Sequence, residues 1–143
     1  MIGRLLKGRT VIELVGDIGS GKTTLTQGLV AGLGFPGDVP SPTFTIGRAY
    51  PVRDGLQLHH FDFYRLNGHD LVSEELTEAL QDPTAIVVVE WAGNSAIQLP
   101  QERLRLTITP KRGQHQRTIA VESLSPESEY LIKELHHAYR STD

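Results

Sequence analysis

The sequence predicts an α/β fold with a largely parallel sheet and an antiparallel C-terminal extension. Three observations carry this. Short β-branched or apolar runs alternate with stretches of helical periodicity as far as Glu90. One of these runs, Ala85 to Val89, is apolar throughout, as a strand covered on both faces must be. Near the C terminus, two alternating runs flank Lys111-Arg112-Gly113, the pattern of an antiparallel hairpin.

Thr10 to Val15 is β-branched and apolar and stops at Gly16, so it reads as a buried strand. Gly21 to Leu33 carries Leu25, Leu29 and Leu33 at a spacing of four and reads as a helix, ended by Gly34, Pro36 and Gly37. Gly28 and Gly32 share a face of it, where a close approach to the neighbouring sheet would offset their poor helix propensity, about 1 kcal/mol each. Pro40 to Ile46 is a Pro- and hydroxyl-rich loop running into a strand, and Leu56 to Tyr64 is a further strand. Asp70 to Gln81 places Val72, Leu76, Ala79 and Leu80 on one helical stripe, with acids opposite. Ala85 to Glu90 is the central strand, and Arg103 to Thr109 and Thr118 to Glu122 form the hairpin. Ser125-Pro126-Glu127 opens a last helix, with Ser as cap, Pro in the first turn, and Ile132, Leu135 and Tyr139 as its apolar face.

The 143 residues are expected to make one domain, 1–143, without repeats or linkers. There are no cysteines, which excludes disulfides, thiolate metal sites and a cysteine nucleophile, and suits a reducing cytoplasm. The longest apolar run is far below the ~20 residues of a membrane span, so no membrane role is expected. A net charge of −3 argues against a dedicated non-specific nucleic-acid binder. The charge is uneven. Asp70 to Glu90 holds six acids and no Lys or Arg, while Arg103 to Arg117 holds five Lys/Arg and no acid, which reads either as two solvated surfaces or as one acidic and one basic partner face.

Gly16-Asp17-Ile18-Gly19-Ser20-Gly21-Lys22-Thr23 fits G-x-x-x-x-G-K-[ST] at every fixed position, between a predicted strand and a predicted helix. The chemistry explains the residue types. Glycines let successive N–H groups of Asp17, Ile18, Gly19, Ser20 and Gly21 turn inward on phosphate oxygens, and the helix that follows, with Thr24 in its first turn, adds its positive end. Lys22, expected in a solvated loop, would neutralise the β- and γ-phosphates, and the Thr23 hydroxyl would ligate magnesium. The fold class sharpens to a P-loop NTPase-like three-layer sandwich. The guanine-reading N-K-x-D and γ-phosphate-sensing D-x-x-G of Ras-type GTPases are absent, as is the LSGGQ-like signature of transporter ATPases.

Two strands end in acids. His59-His60-Phe61-Asp62 delivers Asp62, and Ala85 to Val89 delivers Glu90. At the C-terminal ends of neighbouring strands, either acid can hold the magnesium shell and either can orient an attacking water. His59 and His60 do not read as metal ligands, because adjacent strand positions point to opposite faces. Trp91, the only tryptophan, is either core packing at the sheet end or a wall of the nucleotide pocket or a partner surface.

Together, Gly16 to Thr24, Ser41-Pro42-Thr43-Phe44-Thr45, His60-Phe61-Asp62-Phe63-Tyr64-Arg65-Leu66 and Val89-Glu90-Trp91 resemble, in order and spacing, the TsaE family of small P-loop ATPases. The likeness runs over about residues 10 to 120. The resemblance implies a bacterial ATPase of tRNA threonylcarbamoyladenosine biosynthesis, with ATP and magnesium as cofactors. It implies that Thr43 belongs to a switch-like loop near the γ-phosphate, that Asp62 is the Walker-B-like acid, and that Glu90 is the second acid of metal binding and hydrolysis. It further implies the TsaB–TsaD transferase pair as partner, tRNA reached only through that complex, and hydrolysis that resets the complex between turnovers. Two departures stand out. Met1 lies only 15 residues before Gly16, so the N-terminal segment that usually wraps the adenine is expected to be absent or replaced. The Pro that usually follows the tryptophan is replaced by Ala92-Gly93-Asn94, a looser loop. Other classes remain open on the residues alone: a small-molecule kinase, or a nucleotide-dependent binding module. A further cation at the γ-phosphate would come from Arg48, from the Lys111-Arg112 turn or from a partner.

Overall fold

The computed structural model describes residues 1–37, 47–64, 70–91, 98–113 and 115–141. Its strands are β1 (Thr10–Val15), β2 (Gly47–Pro51), β3 (Gln57–Asp62), β4 (Ala85–Glu90), β5 (Leu104–Pro110) and β6 (Arg117–Ser123). They form one six-stranded sheet in the order β2-β3-β4-β1-β5-β6. β3, β4, β1 and β5 run parallel. β5 and β6 form the expected antiparallel hairpin, and β2 adds a second antiparallel edge beside β3. The sheet is therefore antiparallel at both margins rather than at the C-terminal one alone.

β4 shows why this sheet needs two covering layers. All six of its residues are buried, alternating between two faces. Ile86 and Val88 join Ile12, Leu14, Leu29 and Val30 beneath α2 (Lys22–Gly32). Val87 and Val89 join Phe61, Leu76 and Ala79 beneath α3 (Asp70–Gln81). Each fully buried aliphatic side chain here contributes about 1.5–3 kcal/mol of transfer free energy. A polar residue on either face of β4 must therefore have a specific partner.

The layer of α2 is completed by α1 (Ile2–Leu5) and α4 (Glu129–Arg140). No periodicity in the sequence announces α1, because its four residues are too few to show one. α1 also accounts for Gly32, whose close approach is helix to helix rather than helix to sheet. A Cβ on Gly32 would meet Gly3 Cα at 3.3 Å, and one on Gly3 would meet Leu29 O at 2.5 Å. Gly28 has open space around it and needs no such account. The Arg53 guanidinium donates to Arg4 O at 2.7 Å and Leu6 O at 3.0 Å, pinning the end of α1.

At the C terminus, Ser125 precedes a short 3-10 turn, Pro126–Ser128, and α4 begins one turn later than the sequence predicts. Its inward residues are Leu131, Ile132, Leu135 and Ala138, while Tyr139 is 68% exposed. Tyr139 falls on the same stripe, seven residues after Ile132, yet stands exposed in the last turn of α4.

Candidate functional site

The loop from Gly16 to Gly21 leaves β1 and enters α2. Gly19 (φ 75°) and Gly21 (φ 109°) are left-handed, where a side chain would strain the backbone although space is open. Gly16 is needed for the opposite reason: a Cβ there would meet Ser20 Oγ at 2.5 Å and Ile108 O at 2.9 Å. Gly21 occupies the N-cap of α2, and no side chain caps that end. The first-turn N–H groups are thus left for an outside acceptor, and the helix dipole favours an anion there.

Lys22 is not in a solvated loop. It is the first residue of α2 and only 6% exposed. Its Nζ donates to Gly16 O at 2.7 Å and Asp17 O at 2.8 Å, and lies 4.3 Å from the centre of the Trp91 ring. A cation desolvated this far is held by carbonyl dipoles and a π face rather than by a carboxylate. Among the described residues no carboxylate pairs with the ammonium, which leaves it to an anion in the loop.

The two strand-end acids come together. Asp62 and Glu90 are register partners on β3 and β4, and Phe63 N extends the pairing by donating to Glu90 O at 3.0 Å. They are not equivalent. Asp62 is half-buried, and its Oδ1 accepts from Tyr64 N at 3.0 Å. Glu90 is 2% exposed, on the α2 face of the sheet. Its Oε1 lies 3.2 Å from His60 Nε2, but the pair is not aligned as a hydrogen bond, and neither atom has another partner among the described residues.

Trp91 follows Glu90 with a positive φ of 60°, a conformation costing on the order of 1 kcal/mol in a non-glycine residue. The turn sets the indole over Lys22 and against Tyr64, with ring centroids 4.8 Å apart. A cleft of about 420 Å³ opens between these groups. Gly19, Gly21, Lys22, Thr23 and Thr24 form one wall and Asp62, Glu90, Tyr64 and Trp91 the other, with Ile18 at the rim, 71% exposed. Trp91 is half-buried, and it both lines the cleft and packs on the core beneath α3. Thr23 beside two carboxylates supplies the oxygen donors that magnesium prefers.

Thr43 and its Ser-Pro-Thr-Phe-Thr block, Arg65, and Ala92-Gly93-Asn94 lie outside the described residues. His59 and His60 do point to opposite faces: His59 lies alongside Phe61, while His60 faces Glu90. Burial lowers the pKa of His59, against the pull of Asp82. Among the described residues no group of three or more His, Asp or Glu side chains is arranged to hold a metal.

The basic run from Arg103 to Arg117 is partly engaged within the chain. Arg103 and Arg105 donate to Glu13 Oε2 at 2.8 and 3.1 Å. Sequence reasoning missed Arg117, whose Nε donates to Ser20 O at 3.0 Å. No local pattern links residues 97 positions apart; only the hairpin joining β5 to β6 brings them together.

A mostly parallel sheet between helical layers, with a glycine-rich loop leading from β1 into an uncapped helix, defines the class: a P-loop NTPase-like fold. The family model for threonylcarbamoyl adenosine biosynthesis protein TsaE matches residues 1–119, and this chain belongs to the TsaE family. It is 43% identical over 108 residues to a tRNA threonylcarbamoyladenosine biosynthesis protein TsaE of Streptomyces coelicolor, covering 75% of this chain and 73% of that protein. The protein of the same name from Bacillus subtilis is 41% identical over 128 residues, 87% of this chain and 77% of the relative. The crystal structure of YdiB from Bacillus subtilis superposes with a TM-score of 0.74 at 36% identity, covering 96% of this chain and 83% of that one.

Proposed function

We propose that this chain is an ATP-binding and hydrolysing accessory subunit of the system that makes N6-threonylcarbamoyladenosine at position 37 of tRNAs reading ANN codons. It acts in the cytoplasm as a single unit, 1–143, with the TsaB–TsaD pair as partner and tRNA reached through that pair. Hydrolysis resets the transferase complex between turnovers. Membership of the TsaE family supports the pathway. The observation that carries the chemistry is the cleft, where an uncapped helix end and Lys22 face two carboxylates from adjacent strands.

In this reading Asp17 to Thr24 enclose the phosphates, with main-chain N–H groups and Lys22 donating to their oxygens. Thr23 and Asp62 would hold magnesium, Glu90 would share its shell or orient the attacking water, and Thr43 would serve the γ-phosphate as part of a switch-like loop. The metal would supply charge neutralisation on the phosphates. Glu90 stands at the end of a strand buried on both faces, so its main chain is anchored beside the cleft, where charge changes during hydrolysis. Trp91 and Tyr64 pack together along one side of the cleft.

Reconstituted tRNA modification tests the reading. Repeated turnover of the transferase pair only when this protein and ATP are present is the expected result. Equal turnover without the protein would remove it from the cycle. Phosphate transfer from ATP to a small acceptor would favour a kinase.

A further inference from the structure

We propose that His60 is a positioning residue for Glu90: its ring holds the inward carboxylate oxygen, so that the other oxygen is presented to the cleft. The proposal rests on the ATPase reading above for its kinetic consequence, and on the structure alone for the contact.

Leu58, His60 and Asp62 alternate along one face of β3, so His60 sits between a core leucine and a cleft carboxylate. It is buried, and its cross-strand neighbours are Val88 of β4, a core residue, and Arg48 of β2. An imidazole in such a place is costly unless a polar group meets it. Glu90 Oε1 stands 3.2 Å from its Nε2, and among the described residues neither atom has a hydrogen-bond partner. Lys22, the buried cation of the cleft, is engaged by Gly16, Asp17 and Trp91. A small ring rotation aligns Nε2–H on Oε1 as donor to acceptor. Two orphaned atoms are then satisfied at once, and the carboxylate loses its freedom to swing about its last torsion. Oε1 is fully buried while the residue lines the cleft, which leaves Oε2 as the oxygen that meets water or metal. His59, one position earlier, faces the other side of the sheet and cannot substitute.

The test compares His60→Leu, which removes the donor, with His60→Gln, whose amide nitrogen reaches nearly as far as Nε2. Phosphate release with the TsaB–TsaD pair should fall about 10–100-fold in kcat for His60→Leu, the usual cost of losing an outer-shell partner. ATP affinity by calorimetry should stay within about threefold, and His60→Gln should recover most of the lost rate. A readout independent of activity is the long-range nitrogen-15 spectrum of the histidine side chains in nucleotide-free protein. His60 should be the Nε2–H tautomer with a slowly exchanging ring proton, and Glu90→Ala should abolish that protection. Parent-like hydrolysis in folded His60→Leu, no recovery in folded His60→Gln, or an Nδ1–H tautomer indifferent to Glu90→Ala would each overturn the proposal. If the parent itself releases no phosphate, the ATPase reading fails, and the spectrum still decides the His60–Glu90 contact.

Discussion

Arg117 of β6 donates from Nε to the carbonyl oxygen of Ser20, 3.0 Å away, in the turn that leads into α2. The C-terminal hairpin thus grips the glycine-rich loop from outside. Arg117 fixes the plane of the Ser20–Gly21 peptide, whose N–H belongs to the loop's donor set. Arg117→Ala is expected to weaken ATP binding by about 1 kcal/mol, roughly fivefold, through loss of loop order. Calorimetric titration with ATP checks this, and unchanged affinity would make the contact incidental.

Lys22→Met keeps the aliphatic stem and removes the ammonium that Gly16 O, Asp17 O and the Trp91 ring share. Because Lys22 is buried, the variant should lose some thermal stability as well as ATP affinity. The loss of binding should reach about 3 kcal/mol, more than a hundredfold. Trp91 is the only tryptophan, so its emission should also shift in nucleotide-free Lys22→Met. Parent-like ATP affinity in the folded variant would remove the loop from the binding site.

Asp62→Asn and Glu90→Gln preserve shape while removing charge. Each should bind ATP within about fivefold of the parent yet hydrolyse it about 10²–10³-fold more slowly, because the lost carboxylates act on charge that changes in the transition state. In Asp62→Asn the side-chain amide oxygen can still accept from Tyr64 N, so the strand end should hold its shape. Parent-like phosphate release from both variants would make the acids structural.

Glu13 sits between Arg103 and Arg105 on the face of the sheet opposite α2. Burial alone would raise its pKa, but hydrogen bonds from the two arginines and their charges outweigh this and hold it below the ordinary carboxylate range. A depressed carboxylate pKa stabilises the fold above the unfolded pKa, and that contribution is lost as pH falls through the folded one. Glu13→Gln should therefore destabilise the protein by about 1–3 kcal/mol near pH 7. The difference from the parent should begin to shrink below about pH 4, the unfolded value, and close as the pH falls through the lower folded one. Denaturant titrations near pH 7 and across that acid range check it, and a difference constant throughout would contradict the linkage.

The parallel strands and α3 were legible because each satisfies its own periodicity locally. β4 is apolar because both faces are covered, and Leu76 and Ala79 of α3 lie on the stripe its spacing sets. The loop and its two acids were legible for a related reason, since a strand end fixes where Asp62 and Glu90 emerge. What escaped depends on tertiary placement. α1 is too short to show a period, and no periodicity marks Tyr139, in the last turn of α4, as exposed. The burial of Lys22 follows from Trp91 folding over it, and the grip of Arg117 from the β5–β6 hairpin. The role of His60 was hidden because its partner lies on another strand, thirty positions on in sequence.

In the proposed function the nucleotide cycle is tied to assembly. Phosphate release at saturating ATP and magnesium, by this protein alone and with rising TsaB–TsaD pair, tests that coupling. Arg117 is engaged by the loop backbone and Arg103 and Arg105 by Glu13, and neither Arg48 nor the Lys111-Arg112 turn is among the described residues that line the cleft, so a further cation at the γ-phosphate is expected from the partner. Such a group is worth about 10³–10⁵ in rate where it has been measured in P-loop enzymes. Slow release by the protein alone and a saturable acceleration by the pair are the predicted results. Fast release by the isolated protein, unchanged by the pair, would contradict the claim.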